Sequence, residues 1–86
     1  MGRINSGSRS VCSETNITLI DNVRAEIENC RRILDCSDVC IHIRTVRTDV
    51  MIWGENLSVS DFKTGGLIVE GRIHSVEFDS SGGERN

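Results

Sequence analysis

Aromatic side chains are almost missing from this chain: it has one Trp, two Phe and no Tyr among 86 residues. With hydrophobic residues at 37%, a core has to come from Ile, Val and Leu. A chain this short supports one small domain of modest stability. Long apolar runs are also lacking. The longest is Val50-Met51-Ile52-Trp53, far from the 18 or so residues of a membrane-spanning helix. No charged-then-apolar leader opens the sequence, so a cytosolic chain without direct membrane insertion is expected. Nor is there a Lys/Arg stripe. The ten basic residues are scattered and the formal net charge is −3, which disfavours nucleic acid as a partner. For so lean a domain, association with copies of itself or with another protein is one way to gain burial.

Motifs that carry chemistry are equally scarce. No GxGxxG or GxxxxGK[ST] stretch precedes a helix pattern, so Gly54, Gly65, Gly66 and Gly71 read as turn and bulge glycines rather than a phosphate cradle. Cys30, Cys36, Cys40 and His42 follow the spacing Cys-x5-Cys-x3-Cys-x-His. Zinc knuckles use Cys-x2-4-Cys, so small buried hydrophobes are the better reading of these thiols. A metal-binding regulatory module on these four residues is the alternative. Cys12 completes an even count, but a disulfide framework needs a secretory context that is absent here. His42 and His74 lie in strand patterns without a nucleophile and an orienting group beside them, so they read as solvent-facing. No catalytic, cofactor or metal residue is assigned, and the chain is not expected to be an enzyme.

What is present is a period of two. Val39, Ile41 and Ile43, then Val50 and Ile52, Leu57 and Val59, Leu67 and Val69, and Val76 and Phe78 alternate with polar residues in short runs. That is the pattern of half-buried β-strands. Ile17 and Leu19 start another strand, which ends at Asp21-Asn22. Glu55-Asn56 and Lys63-Thr64-Gly65-Gly66 carry turn chemistry. The alternation changes parity between Ile73 and Val76, which predicts a bulge or tight bend at His74-Ser75. Val50-x-Ile52-x-Gly54 and Leu67-x-Val69-x-Gly71 share one shape, seventeen residues apart. Residues 23–34 read two ways. Val23, Ile27, Cys30 and Leu34 make a helical stripe, whereas Val23, Ala25 and Ile27 make a strand. Residues 1–16 and 79–86, rich in Ser and Gly, read as flexible tails around a domain at 17–78.

If Val50 and Ile52 face the core, Met51 and Trp53 share the opposite face, with Ile68 brought close from a neighbouring strand. This patch is a second packed face or a contact for another protein, since Trp and Met are enriched at interfaces.

The text Ile27-Glu28-Asn29-Cys30-Arg31-Arg32-Ile33-Leu34, Ser37-Asp38-x-x-Ile41, Ile52-Trp53-Gly54-Glu55-Asn56-Leu57-Ser58-Val59 and Leu67-Ile68-Val69-Glu70-Gly71-Arg72-Ile73-His74-Ser75-Val76-Glu77-Phe78 resembles the YabP/YqfC family of bacterial sporulation proteins. The pattern that carries the resemblance is aliphatic-x-Gly-x-x-Leu-x-aliphatic, then aliphatic-x-Gly-x-Ile-x-x-aliphatic-x-aromatic. Members commonly have Gly in the turn before the central strand, where this chain has Arg47-Thr48-Asp49. The lean of the text is toward the YqfC branch, and the resemblance favours strand over helix for residues 23–34.

The expected fold is therefore all-β, a small antiparallel meander of six to eight short strands. A short solenoid-like winding, or an α+β fold with a helix at 23–34, are its alternatives. The resemblance implies a non-catalytic cytosolic protein of the mother cell, acting in spore coat or cortex formation, and the residues add the expectation of an assembly or adaptor module. The lean core, the Met51 and Trp53 face and short strands with free edges point to copies of itself, as a homo-oligomer, or a membrane-bound sporulation protein as partners, with recruitment to the forespore surface.

Overall fold

In the computed structural model, which describes residues 14–61 and 65–82, the chain is all-β. The strands are β1 (Asn16–Ile20), β2 (Arg24–Glu28), β3 (Arg32–Cys36), β4 (Cys40–Arg44), β5 (Asp49–Asp61) and β6 (Gly66–Asp79). They form one antiparallel sheet in the order β1-β2-β6-β5-β4-β3. The expected meander runs from β3 through β6, and the β1–β2 hairpin adds to the far side of β6.

Residues 23–34 are strand and turn. Ala25 and Ile27 are fully buried, and between them and on either side Arg24, Glu26 and Glu28 are half-buried, the signature of a strand with one face inward. The helical stripe fails because its ends stay outside: Val23 is 52% and Leu34 37% exposed. Asn29, at φ 67°, turns the chain in the left-handed region that Asn tolerates better than most residues.

The central hairpin is long and bent double. Gly66 and Asp79 are the two ends of β6, thirteen residues apart, which is about 43 Å of straight strand. Glu28 pairs with Gly66, while Arg32 lies in line with Arg44, Asp49 and Asp79. Yet Glu28 and Arg32 are four residues apart in sequence and can be no more than about 14 Å apart. A straight β6 is therefore excluded, and its two ends are drawn toward each other. Consecutive amides seal this closure: Cys30 N–H donates to the Gly65 carbonyl at 2.9 Å and Arg31 N–H to the Arg44 carbonyl at 2.7 Å.

The fold-over happens at Gly54, Asn56 and Gly71. A side chain on Gly54 would collide with the Arg72 carbonyl, and one on Gly71 would stand 2.6 Å from the Asn56 carbonyl oxygen. Gly71 has φ 139° and Asn56 φ 53°, both in the region that L side chains resist. The sequence reading places a turn at Glu55-Asn56 between two strands. The chain does change direction there, but β5 runs through without ending, because its backbone finds partners in the β3–β4 turn and on β6. Gly65, at φ 76°, lies in the β5–β6 connection, whereas Gly66 is the buried first residue of β6 rather than a turn residue. Lys63 and Thr64 fall outside the described residues, as do residues 1–13 and 83–86 of the two expected tails. Asn16 and Asp79, assigned to those tails, belong to β1 and β6.

The two layers repeat one plan. In the first, Val69 pairs with Ala25 and Leu67 with Ile27; in the second, Ile52 pairs with Ile41 and Val50 with Ile43. Each hairpin tip clasps the bend with two carbonyls. Val23 and Asn22 accept from Gly71 and Ile73, and Val39 and Asp38 accept from Gly54 and Leu57. The similar stretches ending in Gly54 and Gly71 are thus equivalent strands of a pseudo-twofold sandwich. The expected bulge is also present: Trp53 pairs with Ser75 and Gly54 with Ile73, leaving His74 as the extra residue. Among the described residues the core is Ala25, Ile27, Ile41, Ile43, Val50, Ile52, Leu57, Leu67, Val69 and Ile73, all aliphatic. Val39, read as inward, sits instead in the β3–β4 turn and is 51% exposed.

Candidate interaction face

Because Val50 and Ile52 point inward, Asp49, Met51 and Trp53 point outward from β5. Their neighbours across β4 are Arg44, His42 and Cys40, and across β6 they are Asp79, Glu77 and Ser75. These nine positions, with Arg32 and Asp35 of β3 beyond β4, make the outer face of the second layer.

At one end of it, Asp49 is 3% exposed. Its carboxylate accepts from Arg44 Nε at 2.9 Å and Nη2 at 3.1 Å, and His42 Nε2 lies 2.9 Å from Oδ2. A buried carboxylate needs such partners. Beside it, buried Thr45 closes the β4–β5 turn by donating from Oγ1 to the Thr48 carbonyl at 2.7 Å and accepting from Thr48 N–H at 3.2 Å. The Arg47-Thr48-Asp49 turn, which lacks the usual Gly, is thus held by side chains. Gly82 lies over the same carboxylate, where an added Cβ would stand 2.7 Å from Oδ1. The sequence reading of His42 as solvent-facing misses this network. Its legible signal was a cationic residue and a His two apart on β4, ahead of an Asp that a short turn brings back opposite.

At the other end, Trp53 is 40% exposed and Met51 half-buried. Trp53 donates from Nε1 to Glu77 Oε1 at 3.2 Å, which lays the indole along β6. The surroundings are acidic. Burial, then Asp35 and Glu77, push the Cys40 thiol above its ordinary value, the reverse of what thiolate chemistry requires. Ser81 holds the Asp79 carboxyl below its ordinary range through its hydroxyl, at 2.6 Å, and its N–H, at 3.1 Å.

Ile68 does not join this patch. It pairs with Glu26 and Ser60 in the first layer, whereas Met51 pairs with Glu77, nine residues further along β6. It occupies in the first layer the position that Met51 holds in the second, amid the ion pairs of Arg24 with Glu26 and Glu70 at 3.0 and 2.9 Å.

The sulfur set is likewise dispersed. Cys30 is on the β2–β3 link, where burial raises its thiol pKa; Cys36 pairs with Ile41 on the inward side of edge strand β3; Cys40 and His42 face outward from β4. Among the described residues no group of three or more His, Cys, Asp or Glu is placed to hold a metal. His74 lies 3.5 Å from Glu55 on the exposed bend, away from the His42 network.

The sequence model of the YabP family matches residues 12–85. The chain belongs to the YabP family. The match spans both halves of the sandwich and both glycines of its bend, so the family resemblance of the sequence and the pseudo-twofold fold coincide. This makes it a sporulation-related protein. No curated protein and no solved structure gives a significant match to the chain. Among the described residues, no helix is long and apolar enough to cross a membrane.

Proposed function

We propose that this YabP-family protein is a non-catalytic assembly module of the mother cell in spore coat or cortex formation, acting through protein–protein contacts on the Met51–Trp53 face. The observation that carries the reading is Trp53: the chain's one Trp stays 40% exposed on an outer sheet face while Ile, Val and Leu fill the core. Large aromatic side chains supply much of the contact energy at interfaces. With Glu77 beside the indole and Asp35 close to Cys40, the face suits a partner that offers an apolar side chain flanked by Lys or Arg. A membrane-bound sporulation protein with such a segment on its cytosolic side fits this description.

The test is Trp53→Ser in sporulating cells. Heat-resistant spore counts are expected to fall at least tenfold while the variant accumulates normally and unfolds at the wild-type temperature. Undiminished counts would contradict the reading.

A further inference from the structure

The two layers supply an internal comparison, because β1 and β3 occupy equivalent edges of the sheet. Edge strands expose backbone donors and acceptors, and proteins blunt them with charges, prolines or bulges. β3 is blunted: it carries Arg32 and Asp35, and its register with β4 slips between Ile33 and Asp35. β1 is not. Asn16-Ile17-Thr18-Leu19-Ile20 has no charge, and it pairs with β2 in unbroken register over all five residues. It also shows apolar side chains on both faces. Leu19, opposite Ala25, points to the core side yet is 52% exposed, and Ile20, opposite Arg24, is 42% exposed on the outside.

We propose that β1 pairs antiparallel with β1 of a second copy of this chain, about a twofold axis at Thr18, joining two six-stranded sheets into one. In this register Ile17 stands opposite Leu19 of the second copy, Asn16 opposite Ile20, and Thr18 opposite itself. Every pair keeps inward residues inward, and no charge enters the five-residue ladder, so the strand is complementary to itself. The register also fills space on the core side. Ile17, Val50 and Phe78 line a groove of about 300 Å³ beside β1, and Phe78, inward like its partner Val50, is 63% exposed. Leu19 of the second copy, set against Ile17 at strand spacing, enters that groove. The chain's own residues 1–13 are the competing occupant, but they offer only Met1, Ile4 and Val11 as bulky apolar groups among Ser, Gly and Arg. A second β1 brings an Ile and a Leu already in register.

This inference goes beyond the Trp53 face: Trp53→Ser leaves the dimer intact, so either can fail alone. The test is sedimentation of the full chain over a range of concentrations. The wild type is expected to dimerise, Leu19→Lys to weaken dimerisation at least tenfold, and Leu34→Lys on β3 to leave it unchanged. In a chain with its four native cysteines replaced by Ala, Thr18→Cys is expected to give a disulfide-linked dimer on mild oxidation, and Ile20→Cys is not. A wild type that stays monomeric would overturn the proposal, as would a dimer indifferent to Leu19→Lys or one cross-linked through Ile20→Cys in preference to Thr18→Cys. Slow amide exchange along β1 in a monomer would overturn it too, and would assign the edge to residues 1–13.

Discussion

The Asp49 carboxylate takes two hydrogen bonds from Arg44 and one contact from His42 while being almost fully enclosed. Charge-assisted bonds to a buried carboxylate are the costly kind to break. Asp49→Asn keeps the shape but removes the charge, and is expected to cost about 2 kcal/mol. In urea unfolding the midpoint would fall with little change in slope; an unmoved midpoint would show that the network contributes nothing to stability. Asp79 gives a pH prediction. Its carboxyl is held low by Ser81, through the hydroxyl first and the N–H second. A depressed folded-state pKa stabilises the folded chain above the unfolded aspartate's value, and that contribution is lost as pH falls through the folded value. In a carboxyl titration by NMR, Asp79 should titrate below ordinary aspartates, and Ser81→Ala should bring it back up. The thiols run the other way. Cys40, raised by burial, Asp35 and Glu77, is expected to alkylate more slowly at neutral pH than a free cysteine thiol, and Glu77→Gln should speed the reaction.

At the scale of the element, the bend in the β5–β6 hairpin is decided by glycines that are not equivalent. Gly71 combines φ 139° with a carbonyl oxygen 2.6 Å from where a Cβ would stand, whereas Gly65, at φ 76°, has nothing within 4 Å. Gly65→Ala therefore pays backbone strain alone, about 1 kcal/mol, and Gly71→Ala adds a steric clash, for a loss of about 3 kcal/mol. Thermal unfolding should rank them in that order, and equal losses would mean that the bend tolerates a side chain. The same residues show how far the sequence could be read. Alternation placed Ile41, Ile43, Val50, Ile52, Leu67 and Val69 inward because each strand buries one face. The parity change placed the bulge at His74. Gly54 and Asn56 looked like the end of a strand because a local reading cannot tell a turn from a fold within a strand; that difference lies in the long-range pairing of β5 with β6. Ile68 was grouped with Met51 for the same reason: both are outward, but the bend sends them to different layers. Asp49 hid as a turn residue because burial of a polar group depends on what the register sets opposite it.

At the scale of the molecule, the pseudo-twofold plan gives two equivalent outer faces and two equivalent edges, and the sequence has made each pair unlike. One outer face carries the ion pairs of Arg24; the other carries Met51, Trp53 and the Asp49 network. One edge is bulged and charged; the other carries no charge and no bulge. A sandwich of this kind, with a small aliphatic core and asymmetric surfaces, suits the assembly module proposed above, and family membership relates the chain to sporulation. In the function proposed above, Trp53 docks the chain onto a partner at the developing spore. The most direct measurement follows fluorescent fusions of the wild type and Trp53→Ser in sporulating cells. The wild type should form a ring or cap around the forespore, and the variant, present at the same level, should spread through the mother cell. Identical distributions for the two would contradict the account.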